Sequence, residues 1–223
     1  MSDAAGAWRF IDLFAAHYAR PIVAGSGYHD DELRQAETRL SLQLPTSMRA
    51  AYSLLGRRPD LTCTQDRLLT PHQLEIDETG RVLVFRAENQ GCTRWGIPLS
   101  AVAQPDPPVV FSDAGWHPFL DRFSLACVEM VLSEWIVGGA RYGINCEPEE
   151  ETIALMEKRL RRLPLPDYPA WWWRTGGPVR WFECSETIVL EHPGTWLWAG
   201  AASPDAITAV RRALPADWSN NYE

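Results

Sequence analysis

Between Asp30 and Ala87 the spacing of apolar residues changes period, and that change restricts the chain to folds that combine helices with a sheet. In "HDDELRQAETRLSLQLP" (29–45), Leu33, Ala36, Leu40 and Leu44 fall on one helix face, with Asp30 or Asp31 as the expected cap. Pro45 closes that helix and opens the next, in which Met48, Ala51, Tyr52 and Leu55 align before Gly56. Two helices joined by a Leu-Pro step form a hairpin. "LEIDETGRVLVFRAEN" (74–89) leaves helical spacing altogether. It holds an apolar pair, a polar turn at Asp77-Glu78-Thr79-Gly80, and a run from Val82 to Ala87 broken only by Arg86. That pattern predicts a β-hairpin.

The flanking segments extend this mixture. Trp8, Ile11, Ala15 and Tyr18 predict a first helix that ends near Pro21. "TRWGIPL" supplies a third strand, and "DPPVVF" a fourth whose prolines suit a sheet edge. "FSLACVEMVLSEWIV" returns to helical spacing through Leu125, Val128, Leu132 and Trp135, until Gly138-Gly139 stops it. Beyond it, "NCEPEEETIALMEKRLRRL" predicts a helix capped by Asn145, with Ile153, Met156, Leu160 and Leu163 as its buried stripe. "PLPDYP" reads as a short stiff linker. "VRWFECSETIVLEHPGTWLWAGA" predicts two or three strands, with a turn at His192-Pro193-Gly194. Ser203-Pro204-Asp205 then caps a last helix through Ile207, Val210 and Leu214. The expected organisation is an α+β domain over 1–139 and an extension over 140–223 packed on it.

Charge and cysteine usage narrow the function classes. A formal charge of −8 repels nucleic acid and anionic membranes and favours a basic protein partner. The 5 cysteines are odd in number and scattered, which reads as reduced thiols rather than a disulfide framework or a zinc site. The opening "MSDAAGAWRF" lacks the features of a secretion signal, and no stretch is apolar enough for a membrane span. The expectation is a cytoplasmic protein.

Glu88-Asn89-Gln90, at the end of the long apolar run, is the segment that most invites a chemical role. General acid–base work by Glu88 would need a second titratable group nearby, and no His or acid stands at a fixed short spacing. The favoured reading is structural: a strand ends here, and Asn89 and Gln90 satisfy loop backbone groups before Gly91 turns the chain. Cys92 has only Arg94 near it in sequence to activate a thiolate, so a quiet buried thiol is expected. "HDDE" (29–32) has metal-friendly residue types, but consecutive positions at a helix start diverge, and capping is the simpler role. "EPEEE" (147–151) reads as a favourable acidic first turn or, alternatively, as an acidic docking patch. The three tryptophans of "AWWWRTGG" (170–177) cannot all face one core, so at least one is expected to be partly exposed.

The order "ELRQAETRLSLQLPTSMRAAYSLLGR", "LLTPHQL", "VLVFRAENQGCTRWGI", "DPPVV" and "FSLACVEMVL" resembles the SUKH superfamily over about residues 30–136. That superfamily includes fungal cell-wall-assembly regulators, the Syd protein and many immunity proteins of bacterial polymorphic-toxin systems. The resemblance rests on Glu37 with Leu44-Pro45, on Phe85 with Glu88-Asn89-Gln90, on Trp95-Gly96-Ile97, and on Asp106-Pro107-Pro108-Val109. It implies a bent, mostly antiparallel sheet flanked by helices, with Pro45, Asn89, Gln90, Trp95 and Gly96 as structural motif residues. It also implies a non-enzymatic protein-binding role without catalytic residue, metal or cofactor. The expected partner is a cognate toxin domain of basic character, and the alternative is a regulatory scaffold that binds a host cell protein. Asp77, Glu78, Glu88, Asp106 and Asp113, on predicted turns and strand ends, are the candidate partner contacts.

Overall fold

Two structural units divide the chain, Met1–Glu134 and Trp135–Glu223, in a computed structural model that describes residues 1–172, 177–193 and 195–220. Both combine helices with an antiparallel sheet, the α+β class expected from the change of period.

In the first unit, helices α1 (Ala4–Tyr18), α2 (Asp30–Leu40), α3 (Thr46–Leu55) and the single turn α4 (Pro59–Thr62) come before the strands. The strands are β1 (Arg67–Leu68), β2 (Glu75–Ile76), β3 (Val82–Ala87), β4 (Arg94–Pro98), β5 (Val109–Ser112) and β6 (Trp116–Leu120). Their order is β1-β3-β4-β5-β6, and β2 pairs with β3 on the same side as β1. Helix α5 (Phe123–Glu134) packs against α1, α3, α4 and β6. It is buried on nearly every side, which a sequence apolar all round permits.

A β-bulge between Val84 and Arg86 sets the character of this sheet. In a regular strand Phe85 and Arg86 would face opposite ways. The extra residue turns both toward α5, so that Phe85 meets Phe123 edge-on at 4.9 Å and Arg86 reaches Glu129 at 2.8 Å. The one interruption in the apolar run is therefore fully buried.

Several elements differ from the expectations. His29 is the N-cap of α2, where its backbone N–H donates to Glu32 at 3.0 Å, and Asp30 and Asp31 lie in the first turn. β5 lies between β4 and β6, because Pro107 and Pro108 precede the strand and remove none of its hydrogen bonds. β6 is one edge of the sheet and carries Pro118 beside a second bulge.

The second unit opens with a π-helical turn, Trp135–Gly139, followed by β7 (Tyr142–Cys146), α6 (Glu150–Arg159), β8 (Arg161–Arg162) and β9 (Tyr168–Pro169). Asn145 lies in β7, paired with Trp198, and is no helix cap. Pro148 disfavours helical backbone at Glu147, so α6 starts at Glu150 with Glu149 as its cap. Glu150 and Glu151 then occupy the first turn, where the helix dipole favours them. "PLPDYP" is not a linker: Leu165 and Tyr168 are buried, and Tyr168 Oη accepts from Trp181 Nε1 at 2.8 Å.

The remaining strands are β10 (Pro178–Cys184), β11 (Thr187–His192), β12 (Trp196–Ala201) and β13 (Ser219–Asn220), with α7 (Pro204–Ala213) before β13. The sheet order is β13-β7-β12-β11-β10-β8, and β9 also pairs with β10. Ser203 caps α7 as expected. Ile207, Val210 and Leu214 join Met156, Phe182, Val189 and Leu197 in the core. Trp172 is 41% exposed, as expected of one residue of the tryptophan run. Trp173 and Gly194 lie outside the described residues.

Candidate functional site

One face of the first sheet, turned away from α5, combines a mainly apolar row with a row that carries two arginines. Cross-strand pairing places Val84, Gly96, Val110 and Pro118 abreast across β3 to β6. A second row begins Arg67–Ala87–Arg94, so small Ala87 separates two outward arginines. Ser112 continues it by accepting the Arg94 amide at 2.8 Å, and Trp116 lies opposite Ser112. The Arg94 guanidinium lies 6.0 Å from the Trp116 ring and pairs with Glu78 at 3.1 Å and Glu75 at 3.4 Å.

Two clefts indent this face. One, of about 410 Å³, is lined by Arg39, Arg67, His72, Glu75, Val84 and Arg94 among others. The other, of about 630 Å³, is mainly apolar, with Val82, Pro98, Leu99, Val110 and Trp116 in its wall.

The five acidic residues singled out as contacts have different fates. Asp77 is buried at the β2–β3 turn and receives hydrogen bonds from Thr79, from the Arg81 and Val82 amides at 2.8 Å, and from Trp116 Nε1 at 3.0 Å. Burial alone would raise its carboxyl, but those donors hold it well below the usual carboxylate range. Asp106 caps α5 from outside the helix, accepting from the Ser124 amide at 2.8 Å and the Ser124 hydroxyl at 2.6 Å. Glu88 is buried, and its Oε2 accepts the amides of Gln90 at 2.9 Å and Cys92 at 3.0 Å. Glu78 is exposed at the turn beside Arg94, and Asp113 is half-buried in the β5–β6 turn.

The loop after β3 is thus a polar knot, tied by Glu88 and not by Asn89 and Gln90, the two residues expected. Glu88 bonds the loop amides, while Asn89 and Gln90 are exposed. Cys92 is exposed rather than buried. The other motif residues are structural. Pro45 is the N-cap of α3, Trp95 is 2% exposed beneath Arg86, and a Cβ on Gly96 would come within 2.2 Å of Val82 Cγ1.

Beneath the sheet lies a group of ionisable residues that the sequence did not single out. Arg86 binds Glu129 at 2.8 Å, Glu134 at 2.9 Å and Asp66 at 3.1 Å. Glu134 also accepts the amides of Thr64 at 2.7 Å and Gln65 at 2.6 Å, which fastens the loop before β1 to α5. Burial pushes the Asp66 carboxyl up to about 6; Arg86 opposes the shift, while Glu134, Glu129 and Glu88 reinforce it. Burial also raises Glu129. Arg86, Glu129 and Glu134 are closed off from water and Asp66 lies at the rim with 11% of its side chain exposed, so the group serves packing and register. No group of three or more His, Cys, Asp or Glu suited to a metal ion occurs among the described residues. "HDDE" is engaged in ion pairs, with Asp30 and Asp31 on Arg34 and Glu32 on Arg57. No helix among the described residues is long and apolar enough to cross a membrane.

Arg39, Arg67 and Trp116 escape sequence reasoning because their grouping depends on strand register. A two-residue strand such as β1 has no readable period, although alternation along β4 is enough to set Arg94 opposite to Trp95. Comparison with protein-family models, with curated proteins and with solved structures finds no match to this chain.

Proposed function

We propose that this chain is a non-enzymatic protein-binding protein, and that it acts in the cytoplasm as an immunity protein that neutralises a cognate toxin domain. The observation that carries this reading is the outward face of the first sheet, where two rows of side chains and two adjoining clefts sit on paired strands. A sheet face indented by clefts suits a protein partner. The likeness of residues 30–136 to the SUKH pattern supports the same class of function. Of the expected contact set, Glu78, exposed and paired with Arg94, and half-buried Asp113 lie at surface turns, while Asp77, Glu88 and Asp106 serve the fold. The net charge of −8 favours a basic partner at long range and disfavours nucleic acid.

The test is co-expression with candidate toxin domains encoded beside the gene. Rescue of growth, together with retention of the toxin by the purified protein, is the expected result. If no neighbouring candidate is rescued or retained, the immunity reading fails. Recovery of a housekeeping protein, with no self-intoxication on deletion of the gene, would instead assign a regulatory scaffold.

A further inference from the structure

We infer that the cleft between β1, β2 and β4 is a receptor for an acidic peptide segment, with Arg67 and Arg94 as the two jaws and Arg39 at the rim. The inference rests on the protein-binding reading and specifies the chemistry of one contact.

Register places Arg67 and Arg94 on either side of Ala87, across three adjacent strands. Strands lie about 4.8 Å apart, so the two backbones are separated by roughly 10 Å. That span admits one extended chain. The small side chain between them keeps the gap open, and Val84 supplies an apolar floor further along β3.

The charge balance of the cleft runs against that of the chain. Three arginines line it; Arg94 is shared with Glu75 in the wall and with Glu78 beside it, which leaves Arg67 and Arg39 to face an incoming carboxylate. Arg39 donates to the backbone oxygens of Pro71 at 3.0 Å and Leu74 at 2.7 Å, which fixes its position without neutralising it. Arg67 is exposed and has no ion pair among the described residues.

A second arginine-lined hollow, between α2 and α3, differs in that neither of its arginines lacks a carboxylate partner. Its Arg34 and Arg49 are paired with Asp30, Asp31 and Glu37. A guanidinium without a carboxylate partner in a concave site, here Arg67 with Arg39 near it, concentrates positive potential and matches carboxylate geometry. A polyanion such as nucleic acid would meet the net charge of −8 beyond the cleft, whereas a peptide with one or two acids presents only charges that the cleft can engage. A basic partner steered by the chain's overall charge can therefore still anchor here through a local acidic segment.

The experiment uses the full chain and a fluorescent peptide alternating glutamate and leucine, with a glutamine–leucine peptide as control. The expected result is saturable binding of the acidic peptide that weakens at least about tenfold in Arg67→Glu and falls as salt rises. Arg34→Glu, in the ion-paired hollow, should leave binding unchanged. Absence of binding, equal binding of the glutamine peptide, or indifference to Arg67→Glu would overturn the inference. Displacement by millimolar inorganic phosphate at unchanged ionic strength would overturn the peptide assignment in favour of a phosphate site. The co-expression assay separates the two claims. A toxin retained equally by wild type and Arg67→Glu removes the cleft but not the protein-binding reading, while acidic-peptide binding without any retained toxin removes only the immunity reading.

Discussion

Arg86 and Glu134 meet at 2.9 Å beneath the first sheet, with side-chain exposures of 2% and 0%. The same arginine serves Asp66 and Glu129 and lies 4.5 Å from the Trp95 ring, so one cation holds three carboxylates, two from α5 and one from the loop before β1. Removing one partner of a buried ion pair leaves uncompensated charge and costs about 3–5 kcal/mol. Arg86→Met should destabilise the protein by that amount in urea unfolding. Glu129→Gln added to Arg86→Met should recover part of the loss. If Arg86→Met is as stable as wild type, the cluster does not hold the sheet to α5.

Asp66 should make stability depend on pH in an unusual direction. Its folded-state carboxyl titrates near 6, above the ordinary aspartate value of 3.8. The folded protein therefore binds this proton more tightly than the unfolded chain. The contribution is fully favourable below about pH 4 and is lost as pH rises through 6. Asp66→Asn keeps an acceptor for Arg86 and removes the titration. The variant should gain on the order of 1–2 kcal/mol over wild type between pH 4 and pH 7.5. A stability difference that does not change across this range would show that Asp66 does not titrate there.

Glu88 separates a knot from a catalyst. Glu88→Gln retains an oxygen for the amides of Gln90 and Cys92, so its cost should stay below about 1 kcal/mol. Glu88→Ala leaves both amides without their acceptor and should cost about 1–3 kcal/mol. Amide hydrogen exchange at Gln90 and Cys92 should speed up in the alanine variant alone. Loss of partner binding in Glu88→Gln at unchanged stability would instead place this carboxylate in the interface.

The legible and illegible parts of this structure differ in how far apart the cooperating residues lie. The α2–α3 step and the β2–β3 hairpin declare themselves through local spacing, Pro45 and a polar four-residue turn. β6 is hidden because Pro118 reads as a strand breaker, although an edge position tolerates it. Nothing local to α5 marks Glu129 and Glu134 as partners of Arg86, and only the bulge in β3 reveals that Arg86 turns inward to meet them. The Arg67–Ala87–Arg94 row likewise needs the pairing register, which no single strand encodes.

Gly96 should be intolerant of even one added carbon. A Cβ there would lie 2.2 Å from Val82 Cγ1 and 2.9 Å from the Leu83 carbonyl oxygen. Overpacking of this kind costs about 1–3 kcal/mol. Gly96→Ala should lower stability accordingly, and Val82→Ala in the same chain should recover part of the loss by removing the nearer methyl. Strictly additive losses would mean that the clash is with the backbone alone.

His192, in the second unit, should act in the opposite sense to Asp66. Its ring lies 4.4 Å from Trp172 and 6.5 Å from Trp198, and burial pushes the imidazole down to about 4. The folded protein therefore binds this proton less tightly than the unfolded chain, whose histidine titrates near 6.5. The contribution is complete above pH 6.5 and is lost as pH falls toward 4. His192→Phe keeps an aromatic ring and cannot be protonated. Relative to wild type it should gain on the order of 2 kcal/mol between pH 7.5 and pH 4 in urea unfolding followed by tryptophan fluorescence. A ring-proton titration of His192 with a midpoint near 6.5 in the folded protein would contradict this, because the flanking indoles would then impose no penalty on its charge.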